Sequence, residues 1–254
     1  MPCVTPIPCA KPNPCALPSA RDCQPFPKPS PLRIDVDLDE LRELCADALG
    51  LNTLYSYVIT SVELHDGRFV QKGSAPNWQG KYVTLCTCKH RMRTSVSCKA
   101  WPGRWVAGFT SRRKVPPPHK LVYLMRVGWA FDSHLNMWRS PDLPQDMKRA
   151  KAAHLDKYGD LFWPRSPSLG HDSPARHKKS SYKPPIVGHV HEHGYENDIH
   201  HFGFSGRPAA LLVGDPDYTF IWRGPSVSTD RQLWIGHKKW ALRDFLSQLK
   251  EVSQ

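Results

Sequence analysis

Three histidines alternate with other residues in the segment "GHVHEHG", at positions 189, 191 and 193. Side chains two residues apart in an extended chain point to the same side, so His189, His191 and His193 could bind one metal ion. Imidazole groups suit zinc, nickel or non-haem iron. A polar loop that binds no metal is the simpler interpretation of the same residues. We therefore expect no cofactor, and we keep the three histidines as a candidate metal site.

Cys86 and Cys88 also alternate, in the segment "KYVTLCTC" that begins at Lys81. Structural zinc sites combine such a pair with a second pair at matching spacing, whereas only Cys98 lies near this one. Basic neighbours could lower the pKa of a thiol, but no residue close by is suited to act as its base. The pattern favours buried structural thiols over a zinc site or a nucleophile.

The sequence carries none of the common catalytic motifs. It has no phosphate-binding glycine loop, no Gly-x-Ser-x-Gly elbow and no His-Glu-x-x-His helix. A binding domain without catalytic activity is therefore favoured over an enzyme. The alternatives are a metal-dependent enzyme that uses the three histidines on nucleotides or nucleic acid, and a protein-interaction module that docks through a proline-rich arm.

The positive charge of the chain is concentrated in one segment. The formal net charge is +12, and residues 67–131, here called the acid-free segment, contain thirteen Lys or Arg and no Asp or Glu. A solvated basic face would have this composition, but so long a run without an acid is more typical of a surface that binds phosphates. We therefore predict nucleic acid, either DNA or RNA, as the partner.

Aromatic residues lie among the basic ones of this segment, and a nucleic acid could use both. Bases stack on aromatic faces for roughly 1–3 kcal/mol each, and cations hold the phosphates. A single extruded base would also need a group that reads its edge. These roles are predicted for Asn77 as the edge reader, for Trp78 and Trp105 as stacking faces, and for Lys89, Arg91, Arg93, Arg112 and Arg113 as phosphate contacts. For each tryptophan, a place in the core is the alternative.

The elements that would position these residues form one domain over residues 34–254. Residues 1–33 contain ten prolines and four cysteines, which predicts a disordered tail. A helix is predicted from an N-cap at Asp37 to Gly50, and a second amphipathic helix at about 230–251. About six strands lie between them, among them "KYVTLCTC", "RWVAGFT", "KLVYLMRVGWAF" and two strands joined by a turn at "DPD" (215–217), and residues 164–187 are predicted to be a long polar loop. The predicted fold is therefore α+β, a partly closed β-barrel with peripheral helices.

Two further expectations concern the location of the chain. It contains no run of about 18 apolar residues, so no membrane span is expected. The start, "MPCVTPIPCAKPNPC", lacks the basic and apolar regions of a secretory signal, and the eight cysteines do not follow a secreted framework. These features predict an intracellular protein with reduced thiols.

A family resemblance runs through residues 54–224. The segments "LYSYVIT", "GSAPNWQGKYVTLCTCKHRMR", "RWVAGFT" and "KLVYLMRV", followed by "YGDLFW" and "ALLVGDPDYTFIWRG", occur in this order. Their order and content resemble the nucleotide modification associated domain 2 family. Ser74, His90 and Arg104 stand where that family usually has other residues.

The resemblance implies both a fold and a role. The family looks like a relative of the PUA and ASCH domains, small barrels that bind RNA or modified bases, and its implied role is the recognition or handling of modified nucleotides. It implies Cys86 as a further site residue and supports Asn77, Lys89, Arg91 and Arg93. The predicted function is thus a nucleic-acid-binding domain for modified nucleotides that could hold a single base.

Overall fold

The structure is a computed structural model, and it describes residues 24–25, 32–46, 52–166, 168–170, 172–189, 194–233 and 236–252. Most of the predicted tail over residues 1–33 lies outside these ranges. So do Gly50, the predicted end of the first helix, and the candidate metal ligands His191 and His193.

Six helices and twelve strands make up the described fold, with short 3-10 turns between them. The helices are α1 (Leu38–Ala46), α2 (His90–Arg93), α3 (His134–Arg139), α4 (Gln145–Ala150), α5 (Glu196–Ile199) and α6 (Leu242–Ser247). The strands are β1 (Gln24–Pro25), β2 (Arg33–Ile34), β3 (Thr53–Ile59), β4 (Val62–His65), β5 (Arg68–Gln71), β6 (Thr84–Leu85), β7 (Trp105–Thr110), β8 (His119–Phe131), β9 (Leu211–Ile221), β10 (Val227–Thr229), β11 (His237–Ala241) and β12 (Lys250–Glu251).

One large sheet organises the domain. Its strands follow the order β11-β3-β7-β8-β10-β12, and β9 pairs with β8, β6 and β2. The pairs β3–β7 and β2–β9 are parallel, and the other pairs of this sheet are antiparallel. A separate small sheet has the order β1-β5-β4. Over the described residues the large sheet does not close on itself, so the α+β class is confirmed and the barrel is not.

The two predicted terminal helices form, but both are short. The carboxylate of Asp37 accepts a hydrogen bond of 2.8 Å from the backbone N–H of Glu40, which is the predicted N-cap of α1. The predicted apolar face of α6 is buried, with Leu242, Phe245 and Leu246 against the core. Much of the predicted helix at 230–251 is instead strand, because β11 and β12 flank α6.

Two strand predictions differ from the structure. In "KYVTLCTC" only Thr84–Leu85 is strand, because Lys81 and Lys89 both adopt positive φ angles that end the extended backbone. The sequence around Asp215-Pro216-Asp217 predicts a turn between two strands. The structure has one continuous strand there, β9, and accommodates these residues through shifts of register against β8.

Gly108 lies in the middle of β7, where β7 and β8 change register. A Cβ atom added there would lie 2.5 Å from Cδ1 of Ile59 and closer still to the ring of Tyr123. Tyr123 cannot move away easily, because it is fully buried and its hydroxyl hydrogen-bonds that of Tyr57 at 2.9 Å. This position therefore requires a residue without a side chain.

We expect the substitution Gly108→Ala to lower the free energy of unfolding by about 1–3 kcal/mol, the usual cost of overpacking a core. Urea denaturation followed by tryptophan fluorescence would measure it. Gly236→Ala is the matched control, because no atom of the described residues lies within 4 Å of a Cβ atom at Gly236. That control should change stability by less than about 0.5 kcal/mol. Equal effects of the two substitutions would contradict the packing explanation.

None of the described helices is both long and apolar enough to cross a membrane.

Candidate functional site

The short helix α2 follows directly from the cysteine-rich segment and carries two of the predicted site residues, Arg91 and Arg93, with a third, Lys89, just before it. Lys89 precedes it with a φ of 57°, a left-handed conformation that turns the chain from β6 into the helix. Its ammonium group lies 4.9 Å from the centroid of the Tyr57 ring. Burial lowers the pKa of Lys89. Lys89 is therefore half-buried against the sheet, while Arg91 on the next turn is exposed.

Arg93 is fully buried, and it holds α2 to the sheet. Its guanidinium donates hydrogen bonds to the carbonyl oxygens of Cys88 at 2.6 Å, Ala210 at 2.7 Å and Ala209 at 3.3 Å. These carbonyls belong to the chain just before α2 and just before β9. Burial lowers the pKa of Arg93. The side chain thus joins two distant segments through their backbones.

Asn77 forms a second buried connection, with the loop after α4. Its side-chain amide donates to the carbonyl oxygen of Tyr158 at 2.7 Å, and its Oδ1 accepts from the ammonium of Lys151 at 2.6 Å. Lys151 also donates to the carbonyl oxygens of Asn77 and Tyr82. Burial lowers the pKa of Lys151 to about 8. The polar atoms of Asn77 are therefore occupied inside the protein.

Cys86 lies beside a buried carboxylate. Asp160 accepts hydrogen bonds from the hydroxyl of Thr84 at 2.8 Å and from the backbone N–H of Cys86 at 3.3 Å. Burial raises the pKa of the Cys86 thiol, and Asp160 raises it further. Cys86 is thus buried beside a carboxylate, the environment of the structural thiol that the sequence pattern favours.

Three histidines and one aspartate pack around α5, and we call them the histidine cluster: His90, His134, His201 and Asp198. The imidazole of His90 lies 3.5 Å from the Asp198 carboxylate and stacks on His201 with ring centroids 4.5 Å apart. His134 lies 3.3 Å from the backbone oxygen of Asp198, and its other nitrogen accepts a hydrogen bond from the N–H of Phe162. Burial lowers the pKa of His134 to about 3, so its ring is neutral near pH 7.

Five of the nine predicted nucleic-acid contacts lie in the interior: Asn77, Trp78, Cys86, Arg93 and Trp105, each at most 5% exposed. The two tryptophans belong to the main hydrophobic core, which is the alternative that the sequence left open. Asn77 hydrogen-bonds Lys151 and the Tyr158 carbonyl, and Arg93 hydrogen-bonds three backbone carbonyls. In this conformation these five side chains are almost fully covered by the rest of the protein, and their direct contact with nucleic acid stays a prediction.

The other predicted contacts are at least partly accessible. Lys89 is half-buried, and Arg91, Arg112 and Arg113 are exposed. Arg91 lies on α2, whereas Arg112 and Arg113 lie in the loop between β7 and β8. Six of the thirteen basic residues of the acid-free segment are exposed and form no ion pair with a described acidic residue: Arg68, Lys81, Arg91, Lys99, Arg112 and Arg113.

Only His189 of the three candidate metal ligands is described. Its Nδ1 lies 3.1 Å from the carbonyl oxygen of Lys157. Within the described ranges, no group of three or more His, Cys, Asp or Glu side chains is arranged to hold a metal ion. The metal site therefore stays a prediction.

A cavity that the sequence did not single out borders both ends of α5. It has a volume of about 670 Å³, and we call it the basic cavity. Its lining includes Arg165, His177, Lys178, Lys179, Tyr195 and His200. These residues come from the predicted polar loop at 164–187 and from the ends of α5. The run "RHKK" at 176–179 was the available signal, but it lies outside the acid-free segment.

Comparison with known proteins gives one match. A family model described as nucleotide modification associated domain 2 matches residues 51–197. No curated protein and no solved structure shows a significant match to the chain. The matched range includes α2, the buried contacts of Asn77 with Lys151 and Tyr158, and most of the lining of the basic cavity.

Proposed function

The chain belongs to the nucleotide modification associated domain 2 family, and from this premise we propose that it binds nucleic acid and takes part in recognising or handling modified nucleotides. The observation that carries the proposal is the set of six exposed cations in the acid-free segment that have no described acidic partner. Such cations attract phosphates, and they release counterions when a phosphate binds.

The buried contacts support this role by fixing the backbone under the exposed cations. Arg93 ties α2 to the segment before β9 through three carbonyl oxygens. Arg91, two residues earlier, therefore projects from a helix that is held in place. A cation on a fixed backbone loses less conformational freedom when it binds a phosphate.

Two further parts of the proposal concern the location of the chain inside the cell and its relation to other domain families. The four cysteines in the described residues, Cys45, Cys86, Cys88 and Cys98, are free thiols, which suits the reducing interior of a cell. A distant relation to the PUA and ASCH domains stays part of the proposal, since the open sheet alone does not decide it. Whether the partner is DNA or RNA is left to the experiment.

We expect the double variant Arg112→Ala/Arg113→Ala to bind labelled oligonucleotides more weakly whatever their sequence. Each lost phosphate contact should reduce the slope of log affinity against log salt by about 0.9 for a duplex, so the double variant should lose about 2. Fluorescence anisotropy across a salt series would measure affinity and slope for single- and double-stranded DNA and RNA, with and without modified bases.

The matched control is Arg149→Ala/Arg243→Ala, which removes the same charge from two exposed arginines outside the acid-free segment. If both double variants weaken binding equally, net charge rather than this surface is responsible. If the unaltered protein binds none of the oligonucleotides at low salt, the proposed function is wrong.

A further inference from the structure

We propose that the basic cavity binds a nucleotide, with the phosphate on Arg165, Lys178 and Lys179 and the base against Tyr195. The inference deepens the proposed function by naming a ligand and a place for it. It uses none of the six exposed cations of the acid-free segment, so the two proposals can fail separately. The ligand could be a free nucleoside monophosphate or one nucleotide of a longer strand, and the chemistry of recognition is the same for both.

The charge of the lining favours an anion. Three cationic side chains contribute to it, and Glu196 is the single acid among its described residues. The backbone oxygen of Tyr182 accepts a hydrogen bond of 2.8 Å from Nε of Arg165, which orients the guanidinium. Neither Arg165 nor Lys178 forms an ion pair with a described acidic residue. A planar guanidinium beside two ammonium groups suits the oxygens of a phosphate.

The aromatic ring of Tyr195 lies beside these cations and packs against the protein interior. Tyr195 stacks on the buried Phe162, with ring centroids 5.1 Å apart and an angle of 13° between the planes. The ammonium of Lys179 lies 4.8 Å from the centroid of the Tyr195 ring. The Tyr195 ring is thus packed against the buried Phe162 and covered by the exposed side chain of Lys179.

A base can replace Lys179 on this ring, because base stacking is the stronger of the two interactions at an exposed site. The displaced ammonium then becomes available to the phosphate of the same nucleotide. The volume of about 670 Å³ falls within the usual range for small-molecule sites. One ligand would therefore satisfy the aromatic ring and the cations together.

Isothermal titration calorimetry of the full chain at low salt tests the proposal, with the 5′-monophosphates of adenosine, guanosine, cytidine and thymidine as probes. Inorganic phosphate and adenosine are titrated separately, and a short single-stranded oligonucleotide provides the polymer arm. We expect at least one monophosphate to bind, and to bind at least tenfold more tightly than either of its two parts.

Two variants separate the roles of the lining. Lys178→Ala/Lys179→Ala should weaken binding of the monophosphate at least tenfold. Tyr195→Leu should also weaken binding of the monophosphate but leave the affinity for inorganic phosphate unchanged. Lys238→Ala/Lys239→Ala is the matched control, since it removes two adjacent exposed lysines from β11. Thermal unfolding of each variant verifies that the fold is intact.

Three results would overturn the proposal: neither a monophosphate nor an oligonucleotide binds, the Lys178→Ala/Lys179→Ala variant binds both as tightly as the unaltered chain, or inorganic phosphate binds as tightly as the nucleotide. If monophosphates do not bind and oligonucleotides bind this variant as tightly as the unaltered chain, the cavity proposal fails and the proposed function stands. If monophosphates bind and oligonucleotides do not, the proposed function fails and the cavity proposal stands.

Discussion

Replacing Arg93 by alanine is expected to lower the free energy of unfolding by about 3–5 kcal/mol, because buried carbonyl oxygens lose their donor and a large buried side chain is removed. The guanidinium is fully buried and donates to the carbonyl oxygens of Cys88, Ala209 and Ala210. Alanine would leave these acceptors without a donor and open a cavity as well. Urea denaturation at neutral pH, followed by tryptophan fluorescence, measures the loss.

Arg91→Ala is the matched control, because it removes the same side chain from an exposed position on the same helix. It should change stability by less than about 0.5 kcal/mol. Binding assays of folded protein should also distinguish the two substitutions, because Arg91→Ala should lower the affinity for nucleic acid without a loss of stability. An Arg93→Ala protein as stable as the unaltered chain would show that the buried contacts are not formed.

Acid is expected to destabilise the fold through His134. Burial holds its pKa at about 3 in the folded chain, whereas an unfolded histidine titrates near about 6.5. Below about pH 6.5 the unfolded chain therefore binds a proton that the folded chain does not bind, so stability falls as the pH falls. This one group should contribute a loss of about 3 kcal/mol between pH 6.5 and pH 4.

His134→Gln isolates this contribution, because glutamine does not titrate and can still accept and donate hydrogen bonds. Urea denaturation of both proteins from pH 7 to pH 4 gives the difference in unfolding free energy at each pH. We expect the advantage of the unaltered chain over the variant to shrink as the pH falls. A difference that is constant over this range would mean that His134 is already protonated in the fold or accessible to solvent.

Local patterns predicted several elements of the fold correctly. Asp37 caps α1 because its carboxylate reaches the backbone three residues on, an interaction that depends only on nearby residues. The segments "RWVAGFT" and "KLVYLMRVGWAF" are the long central strands β7 and β8. In contrast, β9 continues through Asp215-Pro216-Asp217 as an irregular stretch: these residues have no paired partner in β8, and the pairing resumes at Thr219.

The candidate site was harder to predict, because burial depends on distant partners. Arg93 and Arg91 are chemically identical in the sequence, yet one is buried against Ala209 and Ala210 and the other is exposed. Likewise, Asn77 has a suitable type to read a base, and only Lys151 and Tyr158, more than seventy residues away, show that its polar atoms are in use.

The basic cavity was missed for a different reason. Its cations lie in a loop region outside the acid-free segment, and the short basic run "RHKK" at 176–179 does not by itself indicate a cavity or an aromatic partner. Tyr195, just before α5, and Lys179, in the loop region, are sixteen residues apart and lie together only in the folded chain. A sequence pattern cannot show this arrangement, since it depends on the path of the chain.

The short helix α5 borders two sites at once. Asp198 belongs to the histidine cluster, while Tyr195, Glu196 and His200 line the basic cavity. His134 contacts the backbone oxygen of Asp198 in α5, so a ligand that moved α5 would change the proton affinity of His134. Protonation of His134 would in return change the affinity for that ligand. Thermodynamic reciprocity makes the two effects equal in free energy. A fourfold change in ligand affinity on acidification would therefore appear as a fourfold change in the proton affinity of the cluster on ligand binding.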